Sequence, residues 1–323
     1  MTFWEFLKAG VFNTSFVSML LRISTPIMFG AFGAMLFDKA GIMNIGLEGV
    51  MLFSALSGVI FSSLMHSALC GVLGAILCGV LLSLFFGYCV MKLKTPGNLC
   101  ALALNMLATG GTIFLLYWIT GEKGSSATLQ SISVPTVEIP FIKDIPVLGP
   151  ILSGHNILTY LAFLCAIVVS VLIFHTPIGT RMRAVGENAG AASSVGINVH
   201  RVRYLALVLS GVMIGLGGAF MSMGYMNWFV RDMTAGRGYI AIAAEATGQG
   251  TPIGTFLSAM LFALMESLSN ALQIMSVPSE LLRMIPYAAT LIALTAYGIA
   301  TTRRIKRDTK YQQRLKKRRM TRL

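Results

Sequence analysis

Within long apolar stretches, the residues able to do chemistry are few: Asn44 with Glu48, Asn105, Glu245, and Glu266 with Asn270 and Gln273. A carboxylate at the centre of a hydrocarbon-embedded helix costs about 2.5–3.5 kcal/mol, so each such group needs a partner or a role. Asn44 and Glu48 stand four apart and share one helix face. Gly46 and Gly49 beside them let another backbone come close. Two roles fit this pair: a polar lining of a solute path, or acceptors for backbone amides freed where Gly46 breaks a helix. Asn105 is a further candidate for the lining. Glu245 lies in AIAAEATGQGTPIG, whose glycines and Pro252 mark a short or broken helix. It either lines a path or ties helices together. Glu266, Asn270 and Gln273 recur at three- and four-residue spacing as one polar stripe, a pattern suited to hydrogen bonds between helices.

The sequence lacks the usual catalytic constellations. There is no HExxH, no GxSxG and no GxxxxGK[ST] phosphate loop, so any ATP must be hydrolysed elsewhere, and an enzyme is not expected. His66, His155, His175 and His200 fall at the ends of apolar runs or in loops. The five cysteines (Cys70, Cys78, Cys89, Cys100, Cys165) show no CxxC pair and no Cys/His ligand spacing, so neither a zinc site nor a disulfide framework is indicated. No cofactor is expected.

The elements that must position these groups are membrane spans. Of 323 residues, 55% are hydrophobic and 11% charged, and the mean hydropathy is +0.76. A soluble domain carries about 25% charged residues. The net charge of +13 resembles a nucleic-acid signal until it is located. Residues 303–323 alone carry +10, leaving +3 for everything before them. A basic run directly after an apolar span holds a tail in the cytoplasm and can meet anionic headgroups. No nucleic-acid motif accompanies it.

Candidate spans cover 15–36, 43–64, 68–91, 99–119, 157–174, 204–224, a short 239–250, 253–274 and 284–301, giving an all-α integral membrane protein with about eight to ten transmembrane helices. Residues 1–14 are too short to span and read as an interfacial segment. With Glu5 beside Lys8 and no small-residue cleavage site, no removable signal peptide is expected. Lys92 and Lys94, the arginines of 175–203 and the tail at 302–323 all belong on the cytoplasmic side. The proline-bearing loop 120–154 then falls outside as a structured loop. This parity makes 15–119 and 204–301 two blocks of opposite sense, joined by the 157–174 helix. The second element of each block opens on glycines, at Gly41–Gly46 and at Gly236–Ile240. Inverted repeats with interrupted segments at matching positions mark transporters whose pathway lies between the halves.

The 175–203 loop reads TPIGTRMRAVGENAGAASSVGINVHRVRY from Thr176. Short helices are expected over 181–185 and 189–195, with Gly186-Glu187-Asn188 as the turn and cap between them. Such a compact unit, poor in apolar area, suits docking more than lipid anchoring; an ordinary positively charged cytoplasmic loop is the plainer reading.

The stretches GIMNIGLEGVML (41–52), MRAVGENAGAASSVGINVHRVRYLALVLSGVMIGLGGAF (182–220), MTAGRGYIAIAA (233–244) and TPIGTFLSAMLFA (251–263) resemble permease subunits of ABC importers for simple sugars and nucleosides. The NIGLEG form looks like the nucleoside branch, and the resemblance runs from residue 25 to 301. It implies a type II ABC importer-like fold in the plasma membrane of a prokaryote. It also implies partners: a second permease (identical or not), ATP-binding ABC subunits and an extracytoplasmic substrate-binding lipoprotein. Gly179, Arg181, Arg183, Gly186, Glu187, Asn188 and Gly196 would then couple ATPase closure to the membrane. A ribose-like sugar permease and a secondary transporter or channel are the alternatives; the latter would need an ordered series of ion-coupling acids.

Overall fold

The computed structural model describes residues 13–138 and 148–273, together with 284–285, 288–292, 295 and 298–299, which are helical. The expected interfacial segment (all but its last two residues), much of the 284–301 span and the tail at 302–323 lie outside the described residues.

Among the described residues seven helices are long and apolar enough to cross a membrane. They are α1 (Thr14–Lys39), α2 (Leu47–Met65), α3 (Ala68–Met91), α4 (Gly97–Thr120), α6 (Ile157–His175), α9 (Val199–Ala219) and α11 (Pro252–Leu272). A π-helical turn, Phe220–Tyr225, prolongs α9. Four shorter helices lie between them: α5 (Leu148–Leu152), α7 (Pro177–Glu187), α8 (Ala189–Ser194) and α10 (Arg237–Thr247). Two-residue strands β1 (Thr136–Val137) and β2 (His155–Asn156) pair antiparallel.

Helix α1 is the axle of the bundle. Every residue from Ile23 to Phe37 is buried, which suits a helix apolar on all sides. It packs against α6, α9, α10 and α11. Helix α3 instead faces outward with Leu69, Leu73, Leu77, Leu81 and Phe85, a four-residue spacing that makes one exposed apolar stripe. Its inner face is small. A Cβ at Gly79 would sit 2.5 Å from the Gly211 carbonyl oxygen, and one at Gly215 would sit 2.7 Å from the Ile76 Cα, so α3 and α9 touch backbone to backbone.

The packing repeats across the two halves. Helix α1 packs on α10 and α11 as α9 packs on α2 and α3, while α1 meets α9 and α2 meets α10. The relation thus equates α1 with α9, α2 with α10 and α3 with α11, and the second element of each set begins after a break.

One end of the bundle is closed by the loop after α4. The backbone N–H groups of Ser126, Ser131 and Val134 donate to the carbonyls of Phe229, Asn227 and Met223. These bonds tie residues 126–134 of the loop to the end of α9 and the start of the 226–236 segment. At the other end lie α7 and α8. Here the structure corrects the expected turn: α7 continues through Gly186 and Glu187, and only Asn188 separates it from α8. The reason is contact, because a Cβ at Gly186 would sit 2.5 Å from the Lys39 carbonyl oxygen. Gly186 serves a close approach rather than a bend. The expected short span 239–250 is α10, which starts earlier and stops at Thr247 before Gly248.

Candidate functional site at the junction of two broken helices

After α1, Gly41 takes a left-handed φ of +69° and turns the chain inward, and α2 begins only at Leu47. After α9, the 226–236 segment runs extended and turned, with positive φ at Asp232, Ala235 and Gly236, before α10 begins. The two helix starts meet. The Glu48 Oε1 accepts from the Gly236 N–H at 2.8 Å and its Oε2 accepts from the Gly238 N–H at 2.7 Å. The approach is so close that a Cβ at Gly238 would lie 2.6 Å from the Glu48 Cα.

Electrostatics explains the arrangement. A helix N-terminus carries roughly half a positive charge on its unbonded N–H groups. Glu48 lies in the first turn of α2 and against the first turn of α10, so one carboxylate serves two converging dipoles. The amides freed at the start of α2 have other acceptors. Asn44 Oδ1 accepts from Gly46 N–H at 2.7 Å, and Asn105 Oδ1 accepts from Gly49 N–H at 2.9 Å. The Asn105 amide also donates to the Ile45 carbonyl and, at 2.9 Å, to the Tyr239 hydroxyl.

The structure therefore brings Asn44, Glu48 and Asn105 together and adds Tyr239, whose ring is partly exposed. Glu245 is elsewhere. It is buried near the far end of α10, and a Cβ at Gly250 would lie 3.3 Å from its Oε1 and 2.5 Å from the Lys39 Nζ. Of the polar stripe on α11, Glu266 forms an ion pair with Arg237 of α10. Gln273, the residue just past the end of α11, donates to Asn270 of its last turn at 3.3 Å.

Tyr239 and Arg237 escaped the sequence reading. Both stand in the Gly236-Arg-Gly-Tyr run used there only as a break. An intramembrane cation requires an acidic partner, and that requirement is the signal available at Arg237. Asp232, five positions earlier, competes in sequence with the stripe containing Glu266 for the role.

The α7–α8 unit is held by caps. Thr176 Oγ1 accepts from Gly179 N–H at 3.1 Å with Pro177 in the first turn, and Asn188 Oδ1 accepts from Ala191 N–H at 3.0 Å. Gly179 packs so tightly on the end of α6 that a Cβ would overlap the Leu172 and Ile173 carbonyl oxygens. The Arg183 guanidinium lies 5.0 Å over the Phe174 ring. Arg181, Glu187 and Asn188 are exposed, and Gly196 ends the unit at φ +84°. The Gly186 edge touches Lys39 and Gly41, and Arg203 donates to the Ala40 carbonyl at 3.3 Å. The surface of α7 is thus joined to the five-residue link (42–46) that leads to Glu48.

An all-helical bundle with two interrupted segments meeting inside it, and a capped helical pair at one end, defines a membrane permease. The chain matches the family described as branched-chain amino acid transport system / permease component over residues 16–294, and it belongs to that family. It is 33% identical over 290 residues to the guanosine ABC transporter permease protein NupQ of Bacillus subtilis, covering 86% of this chain and 90% of the relative. It is 34% identical over 298 residues to the nucleoside ABC transporter permease protein NupC of Lactococcus lactis, covering 87% and 91%. An inward-facing structure of a metal-chelate type ABC transporter shares the fold, with a TM-score of 0.51 at 15% identity over 88% of this chain and 87% of that one.

Proposed function

We propose that this permease carries nucleosides inward and is driven by ATP hydrolysed on separate cytoplasmic ABC subunits. A second permease chain and an extracytoplasmic substrate-binding lipoprotein complete the importer. The observation that carries the reading is near-full-length similarity, at 33–34% identity, to permeases named for guanosine and for nucleosides.

In this reading the basic loops and tail face the cytoplasm. The exposed residues Arg181, Glu187 and Asn188 meet the ATPase, while Arg183, Gly179, Gly186 and Gly196 shape the unit that carries them. Closure of the ATPase pushes α7. Because Gly186 bears on the Lys39 carbonyl and on Gly41, the push reaches the 42–46 link and then the Glu48 contact with α10. The joined starts of α2 and α10 shift relative to α4, whose Asn105 binds both sides of the joint. Asn44, Glu48 and Asn105 thus border the path at its narrow middle, and Glu245 borders it near the cytoplasmic end. Tightly packed elements of this kind move between discrete arrangements rather than deforming continuously.

Uptake of labelled guanosine into cells producing the whole importer tests this. Guanosine uptake should stop on ATP depletion, survive collapse of the proton gradient at constant ATP, and resist competition by ribose. Uptake of ribose in place of guanosine would favour the simple-sugar alternative, and uptake driven by the gradient alone would refute the ATP-driven reading.

A further inference from the structure

A cavity of about 740 Å³ opens between the π-helical end of α9, the 226–236 segment, the start of α10 and the last turns of α11. That volume falls within the ~300–1,000 Å³ typical of small-molecule sites. Tyr225 and Met226 form part of its apolar wall, and Arg237, Glu266, Asn270 and Gln273 form the polar one.

Its charges cancel. Arg237 is paired with Glu266, and Arg231, also on the wall, lies 3.4 Å from Asp232. The pairing is incomplete in hydrogen bonds. Among the described residues Glu266 Oε2 and Arg237 Nε have no hydrogen-bond partner, and both atoms are shielded from the cavity. The polar groups that a ligand can reach are the amides of Asn270 and Gln273, which both donate and accept and so suit a solute with its own hydroxyls and ring nitrogens. An ionic ligand gains nothing comparable, because both charged side chains are already neutralised.

We propose that this cavity is a holding site for a neutral solute rich in hydroxyl and amide-like groups, of nucleoside size, and that it rejects the phosphorylated form. The inference rests on the nucleoside-importer reading. It adds a place beside α11, distinct from the Glu48 joint, and a basis for selecting uncharged solutes.

The test uses the whole importer in membranes, with Met226→Cys on the apolar wall alkylated by a small maleimide and the modified site read by peptide mass spectrometry. Guanosine should slow alkylation several-fold, and guanosine monophosphate at equal concentration should not. Val230→Cys, also among the apolar lining residues, gives the same readout should the first variant assemble poorly. In addition, Asn270→Leu should cut guanosine uptake about tenfold, the loss corresponding to ~1.4 kcal/mol, with unchanged amounts of protein in the membrane. Unprotected alkylation in a variant that still transports guanosine would overturn the holding site while leaving the importer reading intact. Equal protection by the monophosphate would overturn the selection for neutral solutes. Loss of guanosine uptake by the unaltered importer, with another solute carried instead, would remove the importer reading and this inference together.

Discussion

The carboxylate of Glu48 grips the amide of Gly238 at 2.7 Å while its other oxygen holds Gly236, so the first turn of α2 is the cap of α10. The two halves of the molecule are joined at this point by a side chain from one and backbone from the other. Both carboxylate oxygens are engaged, and the glycine at 238 is what lets the two helix starts come this near.

Replacing Glu48 with Gln leaves one acceptor oxygen and turns an NH2 toward a backbone N–H. The loss of a charge-assisted bond and the new donor–donor contact should cost about 2–4 kcal/mol. The variant is expected in the membrane in normal amount, with a lowered thermal midpoint by fluorescence-detected size exclusion and guanosine uptake reduced by about tenfold or more. A midpoint unchanged from the parent would contradict the capping role.

Gly186 should tolerate no side chain larger than hydrogen. A Val there must displace the Lys39 carbonyl, which its Cβ would approach to 2.5 Å. We expect Gly186→Val to fold and to bind its ATPase, yet to lose most substrate-stimulated ATP turnover in proteoliposomes. Glu187→Ala and Arg183→Ala should weaken the same coupling more mildly. Normal stimulation in the Val variant would break the proposed link between α7 and the 39–41 corner.

The Arg237–Glu266 pair is legible only in part from sequence. Removing one partner of a buried pair leaves an uncompensated charge, at a cost of about 3–5 kcal/mol, whereas replacing both by apolar groups is often neutral. Arg237→Met and Glu266→Leu should each reduce the folded yield sharply, and the double variant should recover it. Additive losses in a double-mutant cycle would show that the two do not depend on each other.

The crossing of α3 and α9 rests on glycine. Gly79→Leu places a side chain into the Gly211 carbonyl and the Gly215 backbone. Disassembly to aggregate on detergent extraction is expected, while Leu81→Ala on the outward stripe of the same helix should leave a monodisperse protein.

What the sequence disclosed follows from which forces act locally. The positions of the seven described spans follow from hydropathy, because the bilayer imposes length on every segment that crosses it. Asn44, Glu48 and Asn105 could be chosen because amides and acids are rare within apolar runs. Their partners could not be read in the same way. The contact of Glu48 with Gly238 spans 190 positions in sequence, and a glycine amide leaves no trace in composition. Gly186 reads as a turn because glycine more often breaks helices than permits contact, and the Lys39 carbonyl that it packs against is far away in the chain. Glu245 resembled Glu48 in residue type and in its glycine-rich surroundings, but α10 is long enough to place it at the opposite end from the joint.

Accessibility of α7 tests the account most directly. With Arg181→Cys in the whole importer, a membrane-impermeant maleimide should label residue 181 in inside-out vesicles and not in intact cells, and bound ATPase should protect it. Labelling from the outside of intact cells would place the α7–α8 surface away from any cytoplasmic ATPase and would contradict the account.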